Sequence, residues 1–337
     1  MRLRWRILLA LPLVLLLSID RAHGQRPAPS TLDAARDAAA GLPRLRSLVV
    51  AQNGQTLLEY FAKGVAAGRV TNVKSVSKSV ISTLVGIAIE RRLIPGVRQP
   101  IVTYFPELAR DADPRKRRIT IEDLLTMRSG LTSTSFDNYG AWVSSRNWVD
   151  YVLRRPMIAD PGEDMEYSTG NTHLLSAILT KTTRQSTWAF AQQQLGTPLG
   201  FTVSRWARDP QGIYFGGNDM LLSPRQMLSI GQLYLDRGRA GSRQIVPVPW
   251  IDASCTGLGR SRFNPDQTYG YGWWSRDFAG RQGCFAWGYG GQYIIVFRDS
   301  NLVVVTTSST EIGDERRDHR RQIFDIVERL VLPALSR

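Results

Sequence analysis

Ser75 and Lys78 stand three residues apart at the head of a stretch, residues 71–89, that reads as a helix from Val76 onward. Side chains at i and i+3 share a helix face, so this spacing stacks a hydroxyl against an amine. The first N–H groups of a helix have no partner inside it and point the same way. A serine hydroxyl becomes a useful nucleophile only when a neighbour takes its proton. A lysine whose pKa is lowered by burial or by other cations can do that. The helix N-terminus then favours the negative charge that develops on attack. By itself the spacing suits a buried helix with one polar edge equally well. In the next register Ser79 meets Ser82, so Ser75 and Lys78 are the complete pair of this stretch.

Two further stretches carry groups that acyl transfer needs. Tyr167 lies just ahead of a helix start within residues 161–175. A tyrosine there can point its hydroxyl into a cleft, where lysines or amide donors would lower its pKa from ~10 toward the working range. Alone, it fits a tyrosine at the edge of a core. Phe285-Ala286-Trp287-Gly288-Tyr289-Gly290-Gly291-Gln292 leads into a strand beginning at Tyr293. Glycines at a strand entrance let a substrate carbonyl come close, or simply make a turn.

The elements that must position these residues follow from periodicity. Val76, Val80, Leu84 and Ala88, with Ile81 and Val85 beside them, give the first helix one apolar face. Residues 48–51 and 56–61 read as a hairpin around Asn53-Gly54. Residues 293–297 and 302–306 read as two more strands around the turn 298–301. A last helix follows, with Ile323, Val327, Leu330 and Val331 on its apolar face and Pro333 ending it. The middle is mostly helical: Thr120 and Asp123 form a cap pair, Ser223-Pro224 opens another helix, and Gly238 closes it. The expectation is an α/β (α+β) fold: one antiparallel sheet built from both termini, flanked by helices, with a mostly helical region inserted. The α/β part covers about 25–90 and 260–337, and the helical part about 91–259.

Residues 1–24 read as an export signal: Arg2, Arg4 and Arg6, then the apolar run 7–19, then Ala22-His23-Gly24 before a cut at Gln25. The run is short for a membrane span, so the mature chain is expected to be periplasmic or secreted and to form a single catalytic domain over 25–337. The formal charge of +14 on 337 residues falls to +11 without the leader, which favours anionic surroundings. Its densest basic runs, 115–118 and 316–321, lack interleaved aromatics, so no nucleic-acid partner is expected. The two cysteines, Cys255 and Cys284, are compatible with a disulfide or with two buried thiols. With two mature histidines they are too few for a zinc site, and no cofactor is called for.

Taken together, the three motifs resemble the serine β-lactamase and penicillin-binding superfamily. Ser75-Val76-Ser77-Lys78 is followed by Tyr167-Ser168-Thr169 and then by the glycine-rich stretch at Gly288. The wording of residues 75–89, 121–131, 161–179 and 288–293 is similar to the class C-like branch of related esterases and 6-aminohexanoate-dimer hydrolases. The resemblance implies that Ser75 is the acylated nucleophile and that Lys78 and Tyr167 share the base and acid work. It implies an oxyanion hole made by the N–H groups of Ser75 and Tyr289, with Thr169, Asn171, Trp287 and Gly288 at the substrate.

The sequence departs from the family twice. Thr169 stands where the second motif usually has asparagine, with Asn171 as a substitute. Ala286-Trp287-Gly288 stands where Lys-Thr-Gly would be, which removes the cation that holds a β-lactam carboxylate; Arg260 or Arg262 could restore it. The reading is therefore a hydrolase of esters or short amides, small-molecule substrates, acting through an acyl-enzyme. The alternatives are β-lactamase or D-alanyl peptidase activity, or a non-catalytic module. A Ser-His-Asp enzyme would need His173 or His319, and the chain has no Gly-x-Ser-x-Gly elbow. Trp142, Trp148, Trp206, Trp273, Trp274 and Trp287 fit either a cleft lining or the core.

Overall fold

The computed structural model describes residues 32–261, 264–313 and 316–335. The leader expected over residues 1–24 lies outside the described residues, as does Arg262. The described chain opens with helix α1 (Leu32–Ala40) and the hairpin of β1 (Leu45–Gln52) and β2 (Gln55–Phe61). Asn53 and Gly54 both adopt positive φ, 51° and 76°, which a two-residue turn joining right-twisted strands requires. The short β3 (Thr71–Asn72) leads into α2 (Val76–Glu90).

Helices dominate the middle: α3 (Ile121–Leu125), α4 (Tyr139–Val143), α5 (Trp148–Leu153), α6 (Thr169–Thr183) and α7 (Thr187–Ala191). Then β4 (Leu221–Leu222) pairs with β3, α8 (Pro224–Leu235) follows, β5 (Arg239–Ala240) pairs with β6 (Arg243–Gln244), and α9 (Val248–Cys255) comes next. The chain returns through β7 (Gly259–Arg260), β8 (Thr268–Tyr269), β9 (Trp274–Phe278), β10 (Arg281–Gly288), β11 (Gln292–Phe297) and β12 (Leu302–Ser308) to α10 (Arg316–Ile326).

Strands β1, β2 and β7 to β12 make one antiparallel sheet in the order β2-β1-β12-β11-β10-β9-β8-β7. The β1–β12 pairing, with Val49 opposite Val305, joins the two ends of the chain as the sequence leads one to expect. Successive strand residues face opposite sides, and both sides are buried. Val49, Ala286, Ile294, Val296, Val303 and Val305 pack with the layer containing α2 and α8. Leu48, Val50, Phe285, Tyr293, Ile295 and Val304 pack with Ala35, Ile323, Phe324 and Val327 of the outer helices. This explains why β11 and β12 read as unbroken apolar runs instead of alternating ones. Each fully buried aliphatic or aromatic side chain here contributes about 1.5–3 kcal/mol relative to exposure.

Two expectations need adjustment. Residues 285–288 are not the approach to a strand: they are the end of β10, and Tyr289, Gly290 and Gly291 form the turn into β11. Arg281-Gln282-Gly283 carries no apolar signal, so periodicity hides this strand. Helix α8, within the stretch 91–259, lies against β11 and β12 of the sheet. Pro333 sits inside a last helical turn, Leu332–Ala334, where its missing N–H costs nothing at the first positions. The predicted Thr120–Asp123 cap forms, each residue bonding the other's backbone, and the helix expected at Ser223-Pro224 starts there, capped by a Ser223–Gln226 box that the sequence reading did not name.

Candidate active site

Helix α2 points its N-terminus at a cleft of about 1000 Å³. Ser75, its N-cap, is partly exposed on the cleft wall, and its side chain makes no capping bond. Lys78, one turn along, is buried at 1% exposure. Its Nζ donates to Ser75 Oγ at 3.0 Å and to the Gly217 carbonyl at 2.6 Å. Loss of hydration lowers its pKa from the usual 10.5 to about 7, against a smaller opposing pull from the Asp219 carboxylate. A large fraction of Lys78 is thus an uncharged amine near neutral pH, within hydrogen-bond reach of the hydroxyl.

Tyr167 completes the group. Its ring lies under Lys78 Nζ at 5.1 Å, and its hydroxyl is close enough to the Ser75 side chain to favour the phenolate slightly. The expected lowering of its pKa is not what the structure gives. Burial drives it up to about 12, and the Ser75 contact offsets only part of this. The surroundings explain the sign: Trp274 stacks at 5.9 Å, Phe136 and Tyr269 lie 6.2 and 6.3 Å away, and the nearby amine faces the ring, not the oxygen. At neutral pH Tyr167 is a phenol, able to pass a proton but not resting as a phenolate.

The second motif is held by hydroxyls from a distant loop. Ser133 Oγ donates to the Tyr167 carbonyl at 2.7 Å. The Thr169 and Gly170 N–H groups, at the start of α6, donate to Ser135 Oγ and Thr134 Oγ1 at 2.9 and 2.8 Å. These serines and threonines cap α6 in place of its own N-cap, Ser168. Thr169 lines the cleft, and Ser135 lies beside it at 2.8 Å. Asn171 does not take the place of the missing asparagine: it is wholly buried two residues further along α6, where its Oδ1 accepts from Ser129 at 3.2 Å.

Trp287 and Tyr289 line the cleft; Gly288, between them, is buried. A Cβ on Gly288 would sit 2.2 Å from the Val73 carbonyl, so only glycine lets the end of β10 lie against the segment leading to Ser75. The close approach that this glycine permits is therefore to the protein's own backbone. Beyond it, the Gly291 carbonyl accepts from Thr306 Oγ1 at 2.8 Å and Ser308 Oγ at 3.2 Å, which fixes the turn carrying Tyr289. Ala286 points into the core.

The remaining lining is largely aromatic: Phe136, Tyr139, Trp274 and Trp287 join Tyr167 and Tyr289. Of the six tryptophans singled out from the sequence, Trp274 and Trp287 reach the cleft; Trp142, Trp148, Trp206 and Trp273 are core. Among the described residues three charged side chains line it: Lys74, Glu166 and Asp219. Lys74 pairs with Asp219 at 3.4 Å, while the Glu166 carboxylate makes no ion pair among the described residues. Arg260 is exposed on β7 and is not part of the lining. Arg320, which sequence reasoning did not single out, stacks over the Trp287 ring at 5.6 Å.

The histidines lie elsewhere. His173 bonds Asp209 at 3.0 Å, both buried, while its other ring nitrogen accepts from the Gly216 N–H, so no serine completes a triad. His319 bonds Ser308 at 2.9 Å. Among the described residues no group of three or more acidic, histidine or cysteine side chains could hold a metal ion, and no helix is long and apolar enough to cross a membrane. Cys255 and Cys284 are joined in a disulfide between the end of α9 and β10.

Residues 35–328 match the sequence model of the family described as Beta-lactamase. The chain is 25% identical over 305 residues to the 6-aminohexanoate-dimer hydrolase of Paenarthrobacter ureafaciens, spanning 82% of this chain and 75% of that protein. Among solved structures it resembles a D-stereospecific amidohydrolase from Streptomyces sp., with 18% identity, coverage of 89% and 98%, and a TM-score of 0.69. It likewise resembles a class C beta lactamase from Rhodobacter sphaeroides, with 17% identity, coverage of 89% and 99%, and a TM-score of 0.67. The chain belongs to the Beta-lactamase family and is a serine hydrolase of that family.

Proposed function

We propose that this chain hydrolyses neutral esters or short amides through an acyl-enzyme on Ser75. The observation that carries the reading is the buried Lys78 amine, near pKa 7 and 3.0 Å from the Ser75 hydroxyl. Lys78 takes the Ser75 proton as Oγ adds to the substrate carbonyl. The N–H groups of Ser75 and Tyr289 receive the oxyanion. The proton passes through Tyr167 to the departing alkoxide or amine as the carbon–heteroatom bond breaks. Water then adds to the acyl-enzyme with the same groups acting in reverse, and the carboxylic acid leaves.

Substrate choice comes from the groups around the acyl site. A β-lactam brings a carboxylate that needs a fixed cation; losing such a charge-assisted contact costs roughly 1.5–3 kcal/mol. Ala286 offers none, the Glu166 carboxylate on the lining makes no ion pair among the described residues, and the wall is aromatic. These features favour a neutral acyl group. The relative named for 6-aminohexanoate-dimer hydrolysis supports the amide side of the reading. Arg320 beside Trp287 favours the β-lactamase or D-alanyl peptidase alternative. Comparing kcat/KM for nitrophenyl butyrate, 6-aminohexanoate dimer, a D-alanyl peptide and nitrocefin on one preparation tests this. We expect the ester or the dimer to lead, and a clear preference for nitrocefin overturns it. Failure of a fluorophosphonate to label the chain would favour a binding module.

The proposal includes export, with residues 1–24 removed. The Cys255–Cys284 disulfide supports an oxidising compartment. N-terminal sequencing of the protein recovered from an expressing cell should begin at Gln25; an intact Met1 would count against it.

A further inference from the structure

Lys74 and Asp219 both hold left-handed backbone conformations, φ 51° and 66°, which side-chain-bearing residues seldom adopt without compensation. They lie 145 residues apart in sequence, yet each flanks one half of the reactive pair. Lys74 precedes Ser75, and Asp219 is two residues beyond Gly217, whose carbonyl holds the Lys78 amine. The two side chains form an ion pair at 3.4 Å, each about a quarter exposed to the cleft at 26% and 27%. Asn72 locks the arrangement: its Nδ2 donates to Asp219 Oδ1 at 2.8 Å and its Oδ1 accepts the Lys74 N–H at 2.9 Å. Ser77 adds a second stitch, donating to the Lys74 carbonyl at 2.6 Å and accepting the Met220 N–H at 3.1 Å. Strained residues, cross-linked by an ion pair at the mouth of a buried amine, mark a place where the fold keeps a charge for a purpose.

We propose that Lys74 and Asp219 are positioning residues forming a charge clamp, in which the Asp219 carboxylate favours the protonated Lys78 amine, Lys74 offsets it, and their balance sets the pH at which Ser75 becomes reactive. This rests on the reading of Ser75 and Lys78 as nucleophile and base. The sign of the Asp219 effect agrees with its upward pull on the Lys78 pKa. The other groups that meet the Lys78 amine among the described residues are the Ser75 hydroxyl, the Gly217 carbonyl and the Tyr167 ring; the stretch of β10 packed against α2, Cys284 to Gly288, brings no titrating side chain, since Cys284 is held in the disulfide. Glu166 and Tyr269 lie beyond Tyr167 and are left unchanged by the test.

The measurement is the pH profile of kcat/KM with a neutral nitrophenyl ester, for Asp219→Asn, Asp219→Gly, Lys74→Met and Lys74→Gly. The glycine variants delete the charge and relax the left-handed backbone, so they guard against misfolding in the polar ones. Both Asp219 variants should move the acid limb to lower pH, by roughly half a unit for a pair screened by the open cleft. Both Lys74 variants should move it to higher pH. A backbone brace without electrostatic effect would lower kcat in all four and leave the limb in place, which overturns the proposal. Shifts of the same sign at both positions overturn it too, and an unmoved limb in the Lys74 variants removes that residue from it. Loss of all Ser75-dependent turnover in the unaltered enzyme would instead defeat the proposed function.

Discussion

The Lys78 amine stands 3.0 Å from the Ser75 hydroxyl and is almost sealed from solvent, while Ser75 itself opens onto the cleft. That asymmetry separates Ser75 from the other serines near it. Ser77 donates to the Lys74 carbonyl, Ser79 to the Gly272 carbonyl, and Ser168 bonds Thr134, all three buried. Ser75→Ala should therefore reduce kcat by at least about a thousandfold, as loss of a nucleophile typically does, with an unchanged circular dichroism spectrum. Mass spectrometry after a slow acyl substrate should place the adduct on the Ser75 peptide. An adduct on Ser77, Ser79 or Ser168 would reassign the site.

Activity should rise with pH through an acid limb near 7, where Lys78 loses its proton, and should not fall near 10 from ionisation of Tyr167, whose pKa lies near 12. An acid limb near 10 would mean that Lys78 titrates like an ordinary lysine and that burial does not lower its pKa.

Lys78 and Tyr167 flank the same hydroxyl and should act as a unit. Lys78→Ala, Tyr167→Phe and the double variant should each lose a similar factor. Additive losses would argue for separate roles.

A neutral, isosteric side chain at position 78 should make the protein more stable. Lys78 titrates near 7 when folded and near 10.5 when unfolded, so between those values the unfolded chain binds more protons and stability climbs with pH. Lys78→Met removes this burden. It should stabilise by about 1 kcal/mol or more near pH 7, and the advantage should shrink toward pH 10.5. Urea unfolding at three pH values reads it; a destabilised variant at every pH would show that the Gly217 bond outweighs burial.

The Cys255–Cys284 bond closes a loop with a sequence separation of 29. Replacing both with serine should cost about 3–4 kcal/mol on loop-closure grounds, seen as a lower urea midpoint. No change in the midpoint would mean that the segment is already ordered when unfolded.

Much of this arrangement is legible in the sequence because it is local. Ser75 and Lys78 share one turn of α2, and the apolar repeat from Val76 to Ala88 places that turn at a helix head. The hairpin at Asn53-Gly54 and the valine run of β12 announce themselves for the same reason. What escaped is what depends on distant segments. The Gly217 carbonyl that holds Lys78 is 139 residues away, and the hydroxyls of Thr134 and Ser135 that cap α6, with that of Ser133 that holds the Tyr167 carbonyl, come from 34 to 36 residues upstream. No spacing rule reports either. The direction of the Tyr167 shift was unreadable for a related reason: it is set by Trp274, Phe136 and Tyr269, which only the folded sheet and loops bring around it.

The scaffold divides labour in a way that protein engineers can use. Ser79 and Ser82 rivet α2 to the Gly272 and Tyr271 carbonyls at 2.6 Å, so the reactive pair rides on an immobile shaft. Phe136, Met165, Tyr289 and Ile312, by contrast, line the cleft from short connecting segments: a single 3-10 turn at Phe136, a turn at Tyr289, and coil at Met165 and Ile312. Directed evolution confined to Met165 and Ile312 can redraw the selectivity of the pocket without altering a residue that touches the Ser75–Lys78–Tyr167 group.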